Sequence, residues 1–123
     1  MSLDKRILFM DAEEMMRKVA GRLFPALGYQ IEIVSEGSEA VEKYRAAAEN
    51  GGKFNAVILD YAVDRGMNGA ETAKKILEYD PDAKLILSSG GAEIDFAKYG
   101  FKASLPKPYT MDMIKKAIDP ALR

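Results

Sequence analysis

Cysteine and histidine are both absent from this sequence of 123 residues. Without cysteine, the chain forms no disulfide, offers no thiolate nucleophile and has no zinc site of the cysteine type. Without histidine, it has no imidazole general base and no Ser-His-Asp triad. The sequence also lacks an apolar run approaching the roughly 18 residues needed to span a bilayer. Any chemistry must therefore come from carboxylates, hydroxyls, lysines or a bound metal ion.

The chain also lacks a large net charge of either sign. Eighteen basic residues against nineteen acidic residues give a net charge of -1. No global field therefore draws the protein to nucleic acid or to an anionic membrane. The opening segment MSLDKRILFMD reaches acidic residues too soon for a secretion signal. We expect a cytoplasmic protein that binds neither nucleic acid nor membranes.

Five short apolar runs recur along the chain, each about as long as a β-strand. They occupy residues 7–10, 31–34, 56–59, 85–87 and 103–105. Segments with the apolar spacing of helices lie between them, and the fourth of these helices is expected around residues 92–98. Gly28 and Gly100 stand where a helix should give way to a strand, and Thr110 suits the start of the last helix.

This alternation of strands and helices predicts a mostly parallel sheet with helices on both faces, because right-handed crossovers place them there. The first and third runs are apolar throughout, which favours central positions in the sheet. The expected fold class is a doubly wound α/β sheet, the flavodoxin-like (βα)5 fold, with strand order 2-1-3-4-5. We expect a single domain over residues 1–123, since a chain of this length can bury one core.

Polar side chains follow four of the five predicted strands. Asp11 and Glu13 come after the first strand, Asp60 after the third, Ser89 at the end of the fourth and Lys107 after the fifth. In an open parallel sheet, ligands bind outside the carboxyl ends of the strands at the topological switch point, here between strands one and three. We therefore expect carboxylates, a hydroxyl and an ammonium group to share one pocket.

Neighbouring carboxylates repel one another unless a cation neutralises them, and oxygen ligands suit a hard divalent ion such as Mg²⁺. With that ion bound, Asp60 could attack phosphorus while Lys107 and the Ser89 hydroxyl share the charge on the phosphoryl oxygens. Each residue alone has a plainer interpretation, as a strand-end cap, a solvated lysine or a turn hydroxyl. Taken together, the set indicates phosphoryl transfer to a carboxylate.

Four strings in the sequence carry a resemblance to a known family: ILFMDAEE, AVILDYAV, LILSSGG and LPKPY. In this order, and over essentially the whole chain, they resemble the receiver domain of bacterial response regulators in two-component signalling. Residues 26–29 and 65–69 look most similar to receivers attached to hybrid sensor histidine kinases. The resemblance implies a sensor histidine kinase or a histidine phosphotransfer domain as the partner. It also implies that the chain is a signalling domain and not an enzyme, and that it catalyses only its own phosphorylation and dephosphorylation.

The resemblance further implies roles for particular residues. Asp60 matches the phosphorylated aspartate, Ser89 the hydroxyl residue that follows the phosphoryl group, and Lys107 the lysine that binds it. Pro108 matches a proline preceded by a cis peptide bond, which would aim Lys107 inward.

The implied metal site departs from the family pattern. Asp11 matches its first acidic residue, and Asp60 and the backbone carbonyl of Ala62 would complete the protein ligands for Mg²⁺. Most receivers carry a second acid directly after the first, but this chain has Ala12 there. We therefore expect weak Mg²⁺ binding unless another carboxylate compensates. The chain offers two such acids: Glu13 and Asp64.

A second departure concerns signal output. Three residues before the lysine, many receivers have a tyrosine or phenylalanine that swings inward, and this chain has Ser104. Tyr109 or Phe101 would be the substitute; otherwise output would use another surface, or there would be no conformational output at all.

Two other functions stay open. A degenerate receiver would bind partners without being phosphorylated, and the loss of an acid at Ala12 is its best support. A flavodoxin-like binder of nucleotide or flavin would need glycines and backbone amides at the first strand-helix turn. The acids of residues 11–14 repel anions there unless a metal intervenes.

Overall fold

The computed structural model describes residues 5–61, 67–90 and 95–121. Its five strands form one parallel sheet in the order β2-β1-β3-β4-β5, which confirms the predicted flavodoxin-like arrangement. The strands are β1 Arg6–Met10, β2 Gln30–Val34, β3 Ala56–Asp60, β4 Leu85–Ser89 and β5 Ala103–Pro106.

Four α-helices lie in the described part of the chain: α1 Glu14–Ala26, α2 Gly37–Glu49, α3 Gly69–Tyr79 and α4 Met111–Ala121. None of these described helices is both long and apolar enough to cross a membrane. The last helix begins as predicted, because the Met113 amide donates a hydrogen bond of 3.2 Å to Oγ1 of Thr110. Gly28 ends the connection after α1 with a φ of 90°, a conformation that glycine adopts without steric cost.

The α-helix predicted at residues 92–98 is wrong for the described part of that segment. Between β4 and β5 the structure has a 3-10 helix, Phe96–Tyr99, while residues 91–94 lie outside the described residues. Gly100 follows with a φ of 88° and stops the helix after four residues. Four residues allow little more than one turn, so the tighter 3-10 form replaces the α-helix.

Two hydrophobic clusters cover the faces of the sheet. Successive strand residues point to opposite faces, so Phe9 and Ile58 pack with α1 and α4, and Leu8 and Leu59 pack with α2 and α3. The residues of β1 from Ile7 to Met10, and the apolar ones of β3, are fully buried. Both central strands are thus fixed by burial on two sides, and their ends cannot shift independently.

Candidate functional site

Two buried carboxyl groups lie side by side at the carboxyl edge of the sheet. Asp11 follows β1 and Asp60 ends β3, directly after the paired residues Met10 and Leu59. Their exposed fractions are 0% and 2%. Buried carboxylates are rare unless they are paired with a charge or bind a metal. Their placement here is the first sign of a functional site.

The ammonium group of Lys107 lies between these two acids. Its Nζ atom is 2.9 Å from Oδ2 of Asp11 and 3.2 Å from Oδ1 of Asp60. A third carboxylate, that of Glu13, has Oε1 at 3.2 Å from the same nitrogen. The Lys107 side chain is only 11% exposed. The structure therefore brings together Asp11, Glu13, Asp60 and Lys107, although even Glu13 and Lys107 are 94 residues apart along the chain.

Burial and charge perturb the ionisation of this group. Burial and, next, the nearby Asp11 carboxylate raise the pKa of Asp60, while Lys107 acts against both, and the net result is a pKa of about 6. Burial alone would lower the pKa of Lys107, but its contacts with Asp11, Asp60 and Glu13 overcome burial and raise that pKa above its ordinary value. With all groups ionised, three carboxylates and one ammonium leave two negative charges in excess. The site therefore favours a further cation.

Two carboxylate oxygens are poorly satisfied, and this tests whether a metal would fit. Oδ2 of Asp60 is buried without a hydrogen-bond partner among the described residues. Oδ2 of Asp11 is also without a hydrogen bond there, but it forms an ion pair of 2.9 Å with the Lys107 ammonium. Oδ1 of Asp11 accepts a bond of 2.8 Å from the Glu13 amide. Carboxylate oxygens are ligands that Mg²⁺ prefers, and the two Oδ2 atoms lack hydrogen bonds with the described residues, so the acid pair fits such an ion.

The small number of acids limits how well this site fits Mg²⁺. Ala12 is exposed and offers no ligand atom on its side chain. Across residues 5–61, 67–90 and 95–121, no three acidic side chains are placed to hold one metal ion together. Two of the predicted contributors, Ala62 and Asp64, lie outside the described residues.

Ser89 and Pro108 lie next to this group. Ser89 ends β4 with an exposed fraction of 8%, and its carbonyl accepts a hydrogen bond of 2.9 Å from the Lys107 amide. The peptide bond between Lys107 and Pro108 is cis. The backbone that carries Lys107 is therefore attached directly to the end of β4.

Comparison with known proteins identifies the family. Residues 7–119 match the response regulator receiver domain. The chain belongs to this family. It is 30% identical over 122 residues to the chemotaxis protein CheY of Thermotoga maritima, covering 95% of this receiver and 97% of that relative. It is 28% identical over 123 residues to CheY of Listeria monocytogenes, covering 96% and 98%.

Solved receiver structures agree with the fold of this receiver domain. The response regulator protein TrrA from Thermotoga maritima, solved in complex with Mg²⁺-BeF, has a TM-score of 0.83 and 28% identity, covering 96% of this receiver and 99% of that chain. The chemotaxis protein CheY4 of Vibrio cholerae has a TM-score of 0.85 at 19% identity, covering 97% and 99%, and this likeness concerns the fold alone.

The two aromatic residues predicted as possible substitutes in signal output lie in the core. Ser104 is exposed on β5. Phe101 and Tyr109 are 3% and 7% exposed and belong to clusters on opposite faces of the sheet. Whether either aromatic residue takes part in output stays a hypothesis.

Sequence reasoning missed the role of Gly69 in this receiver domain. A β-carbon at this position would lie 2.6 Å from the Asp60 carbonyl oxygen and 2.9 Å from Cα of Tyr61. Only glycine lets the start of α3 approach the end of β3 so closely. Asn68 and Glu71 cap the same helix reciprocally, and their spacing is the signal that could have located its start.

Proposed function

We propose that this receiver domain takes a phosphoryl group from a partner phosphohistidine onto the carboxylate of Asp60, with Mg²⁺ assistance. The observation that carries the proposal is the Lys107 ammonium held between two buried carboxylates at the ends of β1 and β3. Receiver domains as a family are signalling modules that bind Mg²⁺, and the relative TrrA was solved with Mg²⁺-BeF. The same arrangement supports a phosphoacceptor role here.

The proposed chemistry needs one nucleophile and several positive groups. A carboxylate oxygen of Asp60 forms a bond to phosphorus as the bond between phosphorus and the imidazole nitrogen breaks. The bonding pair stays with that nitrogen, which takes up a proton from solvent. Oδ1 of Asp60 is bound by Lys107 and Oδ2 has no hydrogen bond with the described residues, so one oxygen orients the group and the other is available. Lys107 and the Ser89 hydroxyl then stabilise the phosphoryl oxygens.

Bound Mg²⁺ would neutralise the acid pair and the phosphoryl oxygens. We assign Asp11, Asp60 and the Ala62 carbonyl as its protein ligands. Because Ala12 supplies no carboxylate, we expect weak binding. Two acids are candidates to compensate: Glu13, whose carboxylate already reaches Lys107, and Asp64.

The partner in this proposal is a sensor histidine kinase or a histidine phosphotransfer domain, and the setting is the cytoplasm. We propose no binding of nucleic acid or membranes by this domain, in keeping with the net charge of -1. The receiver would catalyse only its own phosphorylation and dephosphorylation. The association with a hybrid kinase stays a prediction.

A second candidate function is that of a degenerate receiver, which binds partners without phosphorylation. The exposed Ala12 favours it, and so does the absence, within the described residues, of three acids placed to hold one metal ion.

Labelling by acetyl phosphate separates the two functions. Intact-mass spectrometry after incubation with and without Mg²⁺ should show a phosphorylated species that depends on the ion. Asp60→Asn should abolish it, because an amide is a far weaker nucleophile than a carboxylate. The matched control is Asp95→Asn, since Asp95 is exposed and its side chain caps no helix. An unlabelled wild-type protein, beside a receiver with both acids that is labelled, would favour the degenerate function.

A further inference from the structure

A buried pair of hydroxyl groups adjoins the acid site. The hydroxyl of Tyr109 hydrogen bonds to Oγ of Ser88. Ser88 has no exposed surface and Tyr109 has 7%. On the neighbouring strand, Ser88 is the register partner of Asp60, so the pair lies immediately beside the proposed acceptor.

The stability of the fold does not explain why these two hydroxyl groups are buried together. Tyr109 sits among apolar side chains that include Phe9, Leu105 and Ile114, where a phenylalanine ring would pack without any polar cost. Burying two hydroxyls there requires that they satisfy each other, and a bond between them returns little more than their desolvation. A bond of this kind does, however, fix the position of two chain segments relative to each other.

The two segments joined are the end of β4 and the turn that carries Lys107. The Lys107 amide donates to the Ser89 carbonyl at 2.9 Å. Two residues later, Tyr109 binds Ser88, and its ring stands edge-on to Phe9 at a centroid distance of 6.3 Å and an angle of 86°. The turn is thus attached on both sides of Lys107, to β4 and to β1.

We propose that Tyr109, through its hydrogen bond to Ser88, is a positioning residue that holds the Lys107 ammonium between Asp11 and Asp60. This inference rests on the proposed function for its effect on phosphoryl transfer, but the positioning itself does not. Lys107 contacts each acid at 2.9 to 3.2 Å, and a shift of its backbone by a fraction of an ångström changes both contacts. Burial raises the pKa of Tyr109 to about 12, so its hydroxyl stays protonated and able to donate.

The chain offers a matched control for removing this hydroxyl. Tyr29 is 3% exposed, belongs to the same hydrophobic cluster, and donates a hydrogen bond of 2.7 Å to Asp119, away from the acid site. Tyr29→Phe therefore removes a tyrosine hydroxyl from the same cluster, one that bonds to a carboxylate, without touching β4 or Lys107. A purely structural role would make Tyr109→Phe and Tyr29→Phe behave alike.

The direct readout is the rate at which the Lys107 ammonium protons exchange with water, followed by ¹⁵N NMR in metal-free protein. We expect exchange to be about three- to tenfold faster in Tyr109→Phe, the ratio that corresponds to one uncharged hydrogen bond. It should be unchanged in Tyr29→Phe. The double variant Ser88→Ala with Tyr109→Phe should match Tyr109→Phe alone, because both remove the same bond. Equal rates in wild type and Tyr109→Phe, or equal acceleration by both tyrosine variants, would overturn the proposal.

A second readout is the rate of labelling by acetyl phosphate with Mg²⁺, which should fall by a similar factor in Tyr109→Phe only. If exchange accelerates but labelling does not slow, the link from Lys107 position to phosphoryl transfer is refuted. If the wild type takes up no label at all, the proposed function fails, while the exchange rates still decide the positioning role. The two failures are therefore distinguishable.

Discussion

Replacing Asp60 by asparagine should make the metal-free protein more stable at neutral pH. Asp60 is 2% exposed, and Oδ2 has no hydrogen-bond partner within the described part of the chain. Burial first, and the Asp11 carboxylate second, raise its pKa from 3.8 to about 6. Asparagine keeps the shape of the side chain and removes the charge, so it relieves both causes at once.

The sign and size of this difference in stability follow from proton linkage. The folded state holds the Asp60 proton more tightly than the unfolded state, so this group favours folding most below pH 3.8 and loses that contribution as pH rises through about 6. Each pH unit between the two pKa values is worth about 1.4 kcal/mol. Wild type therefore loses about 3 kcal/mol relative to Asp60→Asn, which for a domain of this size is a difference of about 10 °C in melting temperature.

Urea unfolding of both proteins from pH 4 to pH 7.5 in the presence of a chelator measures this difference. The gain from Asp60→Asn should be small at pH 4 and reach its full size above pH 6. Asp95→Asn, at an exposed position, should show no such dependence. A gain of the same size at pH 4 and pH 7, or no gain at pH 7, would refute the reasoning that Asp60 is buried as a costly anion.

Three further changes test neighbouring parts of the site. Ala12→Asp adds a carboxylate beside a bound cation, so Mg²⁺ should bind about tenfold more tightly and raise the melting temperature further, while stability without Mg²⁺ falls. An unchanged shift in melting temperature on adding Mg²⁺ would mean that another acid fills the position or that no metal binds. Lys107→Gln leaves buried carboxylates unpaired, so the free energy of unfolding should fall by about 3 kcal/mol at pH 7, measured by urea unfolding. The fall should be smaller at pH 5, where Asp60 takes up a proton. An unchanged free energy of unfolding would show that the ion pairs do not stabilise the fold. Gly69→Ala should cost about 1–3 kcal/mol, because its β-carbon would meet the Asp60 carbonyl oxygen at 2.6 Å. Gly90→Ala should cost little, because its β-carbon would meet no atom of the described residues within 4 Å.

The central part of the fold could be predicted because two unbroken apolar runs define it. Residues 7–10 and 56–59 are fully buried, as strands covered on both faces require. Once these runs are adjacent parallel strands, the acids that follow them must meet at one edge. Asp11 and Asp60 were therefore predictable as neighbours from the order of the elements alone.

Other features depend on tertiary geometry that no local pattern records. The segment before Gly100 has helical composition, but the turn that the glycine makes leaves room for four residues of 3-10 helix in the described part. The bond between Ser88 and Tyr109 joins residues 21 apart, and it depends on how β4 and the turn after β5 align. The approach of Glu13 to Lys107 likewise depends on the start of α1.

The most direct test of the central claim is chemical identification of the acceptor. After incubation with acetyl phosphate and Mg²⁺, reduction by borohydride marks acyl phosphates, and peptide mass spectrometry locates the marked residue. We predict that the mark is confined to Asp60 and that the Asp60→Asn protein carries none. A mark on another residue, or equal marking of the Asn variant, would contradict the assignment of Asp60 as the phosphoacceptor.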